Sequence, residues 1–184
     1  MNDAGTVVGA TTIGSATTSS APRVHAFERN AAGRMSDLGA LSGYRDSIAV
    51  AVNSSGEAVG YSSSGEDGVD ETIADWVGAR DPETLDFENL PENGHAFLWK
   101  NGTMHDLGGS AAFSINDAGE IVGSSHNRAV LWKANQIVDL NAAIATGAGW
   151  VLECATGINA RGWIFGWGRH GGARRAFLLK PRDS

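Results

Sequence analysis

A nine-residue string recurs four times along the 184-residue chain: an apolar residue, Asn, two variable residues, Gly, one variable residue, two mostly apolar residues and Gly. The copies carry Asn2, Asn53, Asn116 and Asn159 and close on Gly9, Gly60, Gly123 and Gly166. The Asn-to-Asn intervals are 51, 63 and 43 residues. Nothing else in the chain constrains the fold as much, because repeated units must bury their faces against their neighbours. Each string reads as a turn feeding a strand. Asn tolerates the left-handed region and bonds its own backbone two residues on. The mid-string glycine at Gly5, Gly56, Gly119 and Gly162 supplies positive φ. Pairs such as Val7-Val8 and Ile121-Val122 then favour an extended chain, and the closing glycine suggests a bulge or the close approach of another backbone.

Three further strings follow in register. The second is Val24-His25-Ala26-Phe27, Gly94-His95-Ala96-Phe97-Leu98-Trp99, Asn127-Arg128-Ala129-Val130-Leu131-Trp132 and Arg174-Arg175-Ala176-Phe177-Leu178. Its alternation of small and bulky residues suits a buried strand. Lys100-Asn101-Gly102-Thr103 is a strong hairpin signal leading onward. The third string, Met35-Ser36-Asp37-Leu38-Gly39, Met104-His105-Asp106-Leu107-Gly108 and Ile137-Val138-Asp139-Leu140-Asn141, has three copies only. A fourth, rich in small residues, covers residues 47–52, 111–115 and 154–158 and leads back to the next Asn.

The His-Ala-Phe and Asp-Leu-Gly signatures resemble those of the HAF-repeat family of extracellular repeats, over almost the whole chain outside one insertion. Arg128 and Arg175 depart from the pattern by replacing the signature His. The resemblance implies an extracellular or cell-surface location and carries no general activity. Units of forty-odd residues with four short strands each resemble propeller blades. The expected fold is therefore all-β, a propeller-like array of about four blade-like units in one domain spanning residues 1–184, with a β-sandwich as the structural rival. Counted from each Asn-Gly strand, the last unit lacks its Asp-Leu-Gly and small-residue strands. An open array would expose strand edges, which suggests a homodimer as one way to cover them. Met1 takes the place of Ile115 and Ile158, so the string opens inside a unit and no leader is visible; either the product starts there or a leader and further repeats precede it.

Composition narrows the function. The net charge of −7 is concentrated in an insertion at about 62–93, where ten acidic residues face the single cation Arg80 and give −9. The other thirteen cations and eleven acids leave the body at +2. That balance argues against nucleic-acid binding, which wants a basic face. No apolar run is long enough for a membrane span. Cys154 is the only cysteine, so no intramolecular disulfide holds the fold, and it reads as a buried thiol. Within the insertion, residues 70–77 could form a short helix.

Residues that recur at one repeat position read as structural: His25 and His95 on strand-edge hydrogen bonds, Asp37, Asp106 and Asp139 on turn amides, Trp99 and Trp132 in the blade core. The unrepeated polar residues include His105, His126, His170 and Glu153, with no zinc-protease, P-loop or nucleophile-elbow motif among them. Asp67, Asp70 and Glu71 offer oxygen ligands for Ca²⁺ without the regular spacing of a calcium loop. Trp163 and Trp167 in the fourth unit, with Trp76 and Trp150 expected in loops, could stack on a sugar ring. Two readings follow. The favoured one is a binding or interaction module, with carbohydrate as the small ligand. The alternative is a glycoside or ester hydrolase taking its acid and base from the insertion, with Asp75, Glu83 and His105 as candidates. A purely structural repeat fragment is the third.

Overall fold

Each Asn-Gly string folds into a closed turn followed by a strand. In the third copy the Asn116 side-chain Oδ1 accepts from Ala118 N at 3.1 Å and Glu120 N at 2.9 Å. Its backbone carbonyl accepts from Gly119 N, and Gly119 takes φ +75°. The same arrangement recurs around Asn53 and Asn159. A side chain that satisfies two turn amides while a glycine takes up the left-handed step is what makes so short a motif fold the same way at each site.

The computed structural model describes residues 1–13, 23–64, 94–134, 136–145 and 147–181. Its strands are β1 (Val7–Ile13), β2 (Arg23–Arg29), β3 (Met35–Gly39), β4 (Asp46–Val52), β5 (Ala58–Ser63), β6 (His95–Lys100), β7 (Thr103–Asp106), β8 (Ala111–Ile115), β9 (Ile121–Ser125), β10 (Arg128–Lys133), β11 (Gln136–Asp139), β12 (Trp150–Ile158), β13 (Ile164–His170) and β14 (Ala173–Leu179), with a short 3-10 turn at Leu140–Ala143. They form four antiparallel sheets, β1-β2-β3, β4-β5-β6-β7, β8-β9-β10-β11 and β12-β13-β14. The fold is all-β and propeller-like. The four Asn-Gly strands β1, β5, β9 and β13 are equivalent, since Gly9, Gly60, Gly123 and Gly166 lie opposite Phe27, Phe97, Val130 and Phe177. Asn101 and Gly102 both take positive φ, as the hairpin signal requires.

The phase of the repeat differs from the expected one. The small-residue strands β4, β8 and β12 open their sheets by pairing with the Asn-Gly strand that follows them; they do not close the unit before. Among the described residues the first sheet therefore has no opening strand and the last no closing one, so each has three strands where the middle two have four. Ser62 and Ser63, placed at the edge of the insertion by sequence, are buried residues of β5.

The closing glycines explain that pairing. A Cβ on Gly60 would lie 1.8 Å from the Ile48 carbonyl oxygen, one on Gly123 2.0 Å from that of Ala111, and one on Gly166 2.0 Å from that of Cys154. In each case the register of the facing strand slips by a residue, between Ala49 and Ala51, Ala112 and Ser114, and Ala155 and Gly157. These are β-bulges, which push a carbonyl into the space that a glycine leaves empty.

Packing is sheet on sheet. Ala26 and Leu38 of the first sheet meet Ala49 and Phe97 of the second. Val59 and Ala96 of the second meet Ala112, Ile115, Ile121, Val130 and Trp132 of the third. Val122 and Ala129 of the third meet Leu152, Ala155, Ile164 and Phe177 of the fourth. Val59 and Val122 are fully buried, each worth roughly 1.5–3 kcal/mol of transfer free energy. A central cluster of Ile48, Tyr61, Phe113 and Cys154, flanked by Ala10 and Trp167, ties the sheets together. Burial pushes the Tyr61 hydroxyl and the Cys154 thiol each up to about 12, so Cys154 is an unreactive core residue.

Candidate functional site

The recurring polar residues form two structural devices. The first joins the His-Ala-Phe and Asp-Leu-Gly strings. His25 Nδ1 lies 3.0 Å from Asp37 Oδ1, which also accepts from Gly39 N, and His95 Nδ1 lies 3.3 Å from Asp106 Oδ2, whose other oxygen accepts from Gly108 N. In the third sheet Arg128 takes the place of His, with Nε 2.6 Å from Asp139 Oδ2. Burial acts to raise the Asp139 carboxyl, but hydrogen bonds from Asn141 and Arg128 outweigh it and hold the group below its ordinary value.

The second device is a ladder of the four repeat asparagines. Asn2 Nδ2 donates to the Asn53 carbonyl at 2.9 Å, Asn53 Nδ2 to the Asn116 carbonyl at 3.3 Å, and Asn116 Nδ2 to the Asn159 carbonyl at 3.2 Å. Asn53 and Asn116 are buried, and Asn159 is exposed. Where the four turns converge they line a shallow depression of about 210 Å³, too small for more than a few waters or one small group. The sequence signal for the ladder is the recurrence of Asn in all four copies.

A larger groove of about 760 Å³ opens between the second and third sheets. Buried Ile121 and Trp132, with half-buried Leu98 and Leu107, give it an apolar floor, and exposed Ile137 stands at its edge. Polar groups ring it: Glu57, Lys100, His105, Asp106, Asp117 and Lys133. Glu57 and Lys100 form an ion pair of 2.6 Å, and Glu57 also accepts from Asn53 Nδ2. Lys133 pairs with Glu120 at 2.6 Å, and Glu120 accepts from Asn116 Nδ2. The Lys100 ammonium holds the Glu57 carboxyl below its ordinary value of 4.5, and Lys133 does the same for Glu120. The Ser54 amide lowers Asp117. These groups are fixed anions and cations, suited to holding hydroxyls; a general acid needs a shift in the opposite direction.

The sign of these shifts predicts a pH dependence. Both glutamates have folded-state values below 4.5, so their contribution is complete above that value and is lost as pH falls through the folded-state value. Thermal unfolding followed from pH 7 to pH 3 should show a midpoint that declines only below about pH 4.5, with a shallower decline in the Glu57→Gln, Glu120→Gln double variant.

The structure brings only some of the sequence candidates to this groove. His105 is exposed on β7 at its rim. Trp150, expected in a loop, is the first residue of β12 and stacks on His170 at 4.9 Å. Trp163 carries Lys180 over its ring at 4.3 Å, and Trp167 carries Arg174 at 4.2 Å. Trp150 and Trp167 belong to the fourth sheet and Trp163 to the turn that enters β13, and none of them lines the groove. In the fourth unit Trp163 stands where the second and third units have a glutamate, so a cation–π contact with Lys180 takes the place of Glu57–Lys100 and Glu120–Lys133. Asp67, Asp70, Glu71, Asp75, Trp76 and Glu83 lie outside the described residues, as does the expected helix at 70–77. Among the described residues no group of three or more metal-ligating side chains occurs, and no helix is long and apolar enough to cross a membrane.

The sequence matches no known family model and no curated protein. One solved structure, described as a putative gluconolactonase, is similar with 14% identity and a TM-score of 0.42 over 86% of this chain. The match spans 57% of that chain.

Proposed function

We propose that the protein is a binding module of the HAF-repeat type, acting outside the cell, with the groove between the second and third sheets as its site for a short glycan. The observation that carries this reading is the make-up of the groove. An apolar floor suits the hydrophobic face of a sugar ring, while the ion-paired Lys100 and Lys133 offer donors and Glu57, Asp106 and Asp117 offer acceptors at its edge. Fixing those side chains in advance lowers the entropy lost on binding. The indoles of the fourth unit favour the groove indirectly, since His170, Lys180 and Arg174 each already cover one side of Trp150, Trp163 and Trp167 respectively.

Isothermal titration against an oligosaccharide panel tests the reading. A member of the panel should bind, and Lys133→Ala and His105→Ala should each weaken it by about tenfold, equivalent to about 1.4 kcal/mol. Both side chains are exposed enough that folding should be unaffected. Binding that ignores both substitutions would move the site elsewhere. Turnover of the same panel, lost in Asp75→Asn or Glu83→Gln, would replace binding by glycoside hydrolysis.

A further inference from the structure

The outward face of the fourth sheet is, position by position, the face that the preceding sheets bury. Phe165 stands where Val59 and Val122 stand, yet those valines are fully buried and Phe165 is 54% exposed. Ala176 corresponds to Ala26, Ala96 and Ala129, which have no exposure at all, and is itself exposed. Leu178, beside Phe165, is also 54% exposed. Three further features end on the same side. The asparagine ladder stops at exposed Asn159. β14 is an edge strand. Arg175 occupies the position from which His25, His95 and Arg128 each hold the aspartate of a following strand.

The geometry points to this face as the docking surface for one further repeat unit of the same build. An Asp-Leu-Gly type strand would lie along β14 with its carboxylate on Arg175. A small-residue strand would cross Phe165 and Ala176, as β8 crosses the second sheet and β12 the third. The asparagine turn that follows would offer its backbone carbonyl to Asn159 Nδ2. The three interfaces inside the chain share one arrangement, and the end face continues it with Phe165, Ala176, Asn159 and Arg175 at the corresponding positions. Edge strands and apolar sheet faces left bare are association sites. A second copy of this chain fits less well. Among the described residues neither the end face nor the first sheet offers the small-residue strand that makes each internal contact, so two copies would meet without it.

A tandem variant supplies the unit. Residues 134–180 are repeated directly after Lys180, which holds the place of Lys133. Phe165→Cys is introduced in both the original and the extended chain, and labelling by a thiol reagent is timed; native Cys154 is buried and silent. Labelling at position 165 should slow by at least about tenfold in the extended chain. Equal rates in the two chains would overturn the proposal. Phe165→Lys with Leu178→Lys gives the second arm. It should leave the melting temperature of the original chain unchanged, while in the extended chain protease should cleave the appended unit as an undocked segment. Protection of that unit in spite of both lysines would overturn the assigned face. Concentration-dependent slowing of labelling in the original chain would overturn the assigned occupant in favour of a second copy.

Discussion

Gly60→Ala and Gly123→Ala should each destabilise the protein by roughly 3 kcal/mol, at the upper end for an overpacked core site. The clash is with backbone: the added methyl would sit 1.8 or 2.0 Å from a carbonyl oxygen of the facing strand, and no side-chain rotation relieves it. The bulge must open or the strand must retreat, which also disturbs the interface that Val59 or Val122 buries. At 184 residues, roughly 3 kcal/mol corresponds to a fall of about 10 °C in melting temperature. Two controls separate this cause from a general intolerance of alanine. Gly9→Ala should be milder, because among the described residues no small-residue strand faces it and the atoms nearest the added methyl belong to the Phe27 ring, a side chain that can swing aside. Gly56→Ala should cost about 1 kcal/mol, since that position has open space and only its positive φ is unfavourable. Differential scanning calorimetry on the four variants tests the order. Equal losses at all four would show that the bulges do not use the glycines.

Asn116→Ala should cost about as much, for a different reason. The side chain is buried and makes four hydrogen bonds, to the amides of Ala118 and Glu120, to the Glu120 carboxylate and to the Asn159 carbonyl. Truncation strands two amide donors in half-buried hydrogen bonds, at about 1–3 kcal/mol for each group that finds no new partner. It also frees Glu120, which pairs with Lys133 on the groove side. Asn159→Ala removes the same turn contacts at an exposed site, where water can replace them, and should cost about 1 kcal/mol. Urea unfolding of the two variants gives the comparison. A loss at Asn159 equal to that at Asn116 would mean that the ladder adds nothing to the individual turns.

The strand inventory was legible in the sequence because each string carries its own local chemistry. Asn and Gly close the turn, β-branched residues extend the chain, and Asn101-Gly102 turns it back. The close approach at the second glycine was legible for the same reason. The phase of the repeat was harder to read. Residues 111–115 are adjacent in sequence to both β7 and β9, and hydrophobic pattern alone does not choose between them. The deciding feature is steric: only β9 has a glycine that lets a bulged strand of small residues come close. The pairing of the recurring His with the recurring Asp was also within reach, since Arg128 replaces His while Asp139 stays. The groove was not. Its charged groups come from turns and strands between Ser55 and Ile137, and only stacking of the second sheet on the third brings them together.

Cross-strand nuclear Overhauser effects at Gly123 in isotope-labelled protein test the four-sheet array most directly. The structure predicts contacts to Ala112 on one side and Val130 on the other, with no strand pairing between residues 111–115 and residues 103–106. Strand pairing of residues 111–115 with residues 103–106 would contradict it, because the small-residue strand would then close the second sheet, and the bulges, the sheet interfaces and the groove would all have to be redrawn.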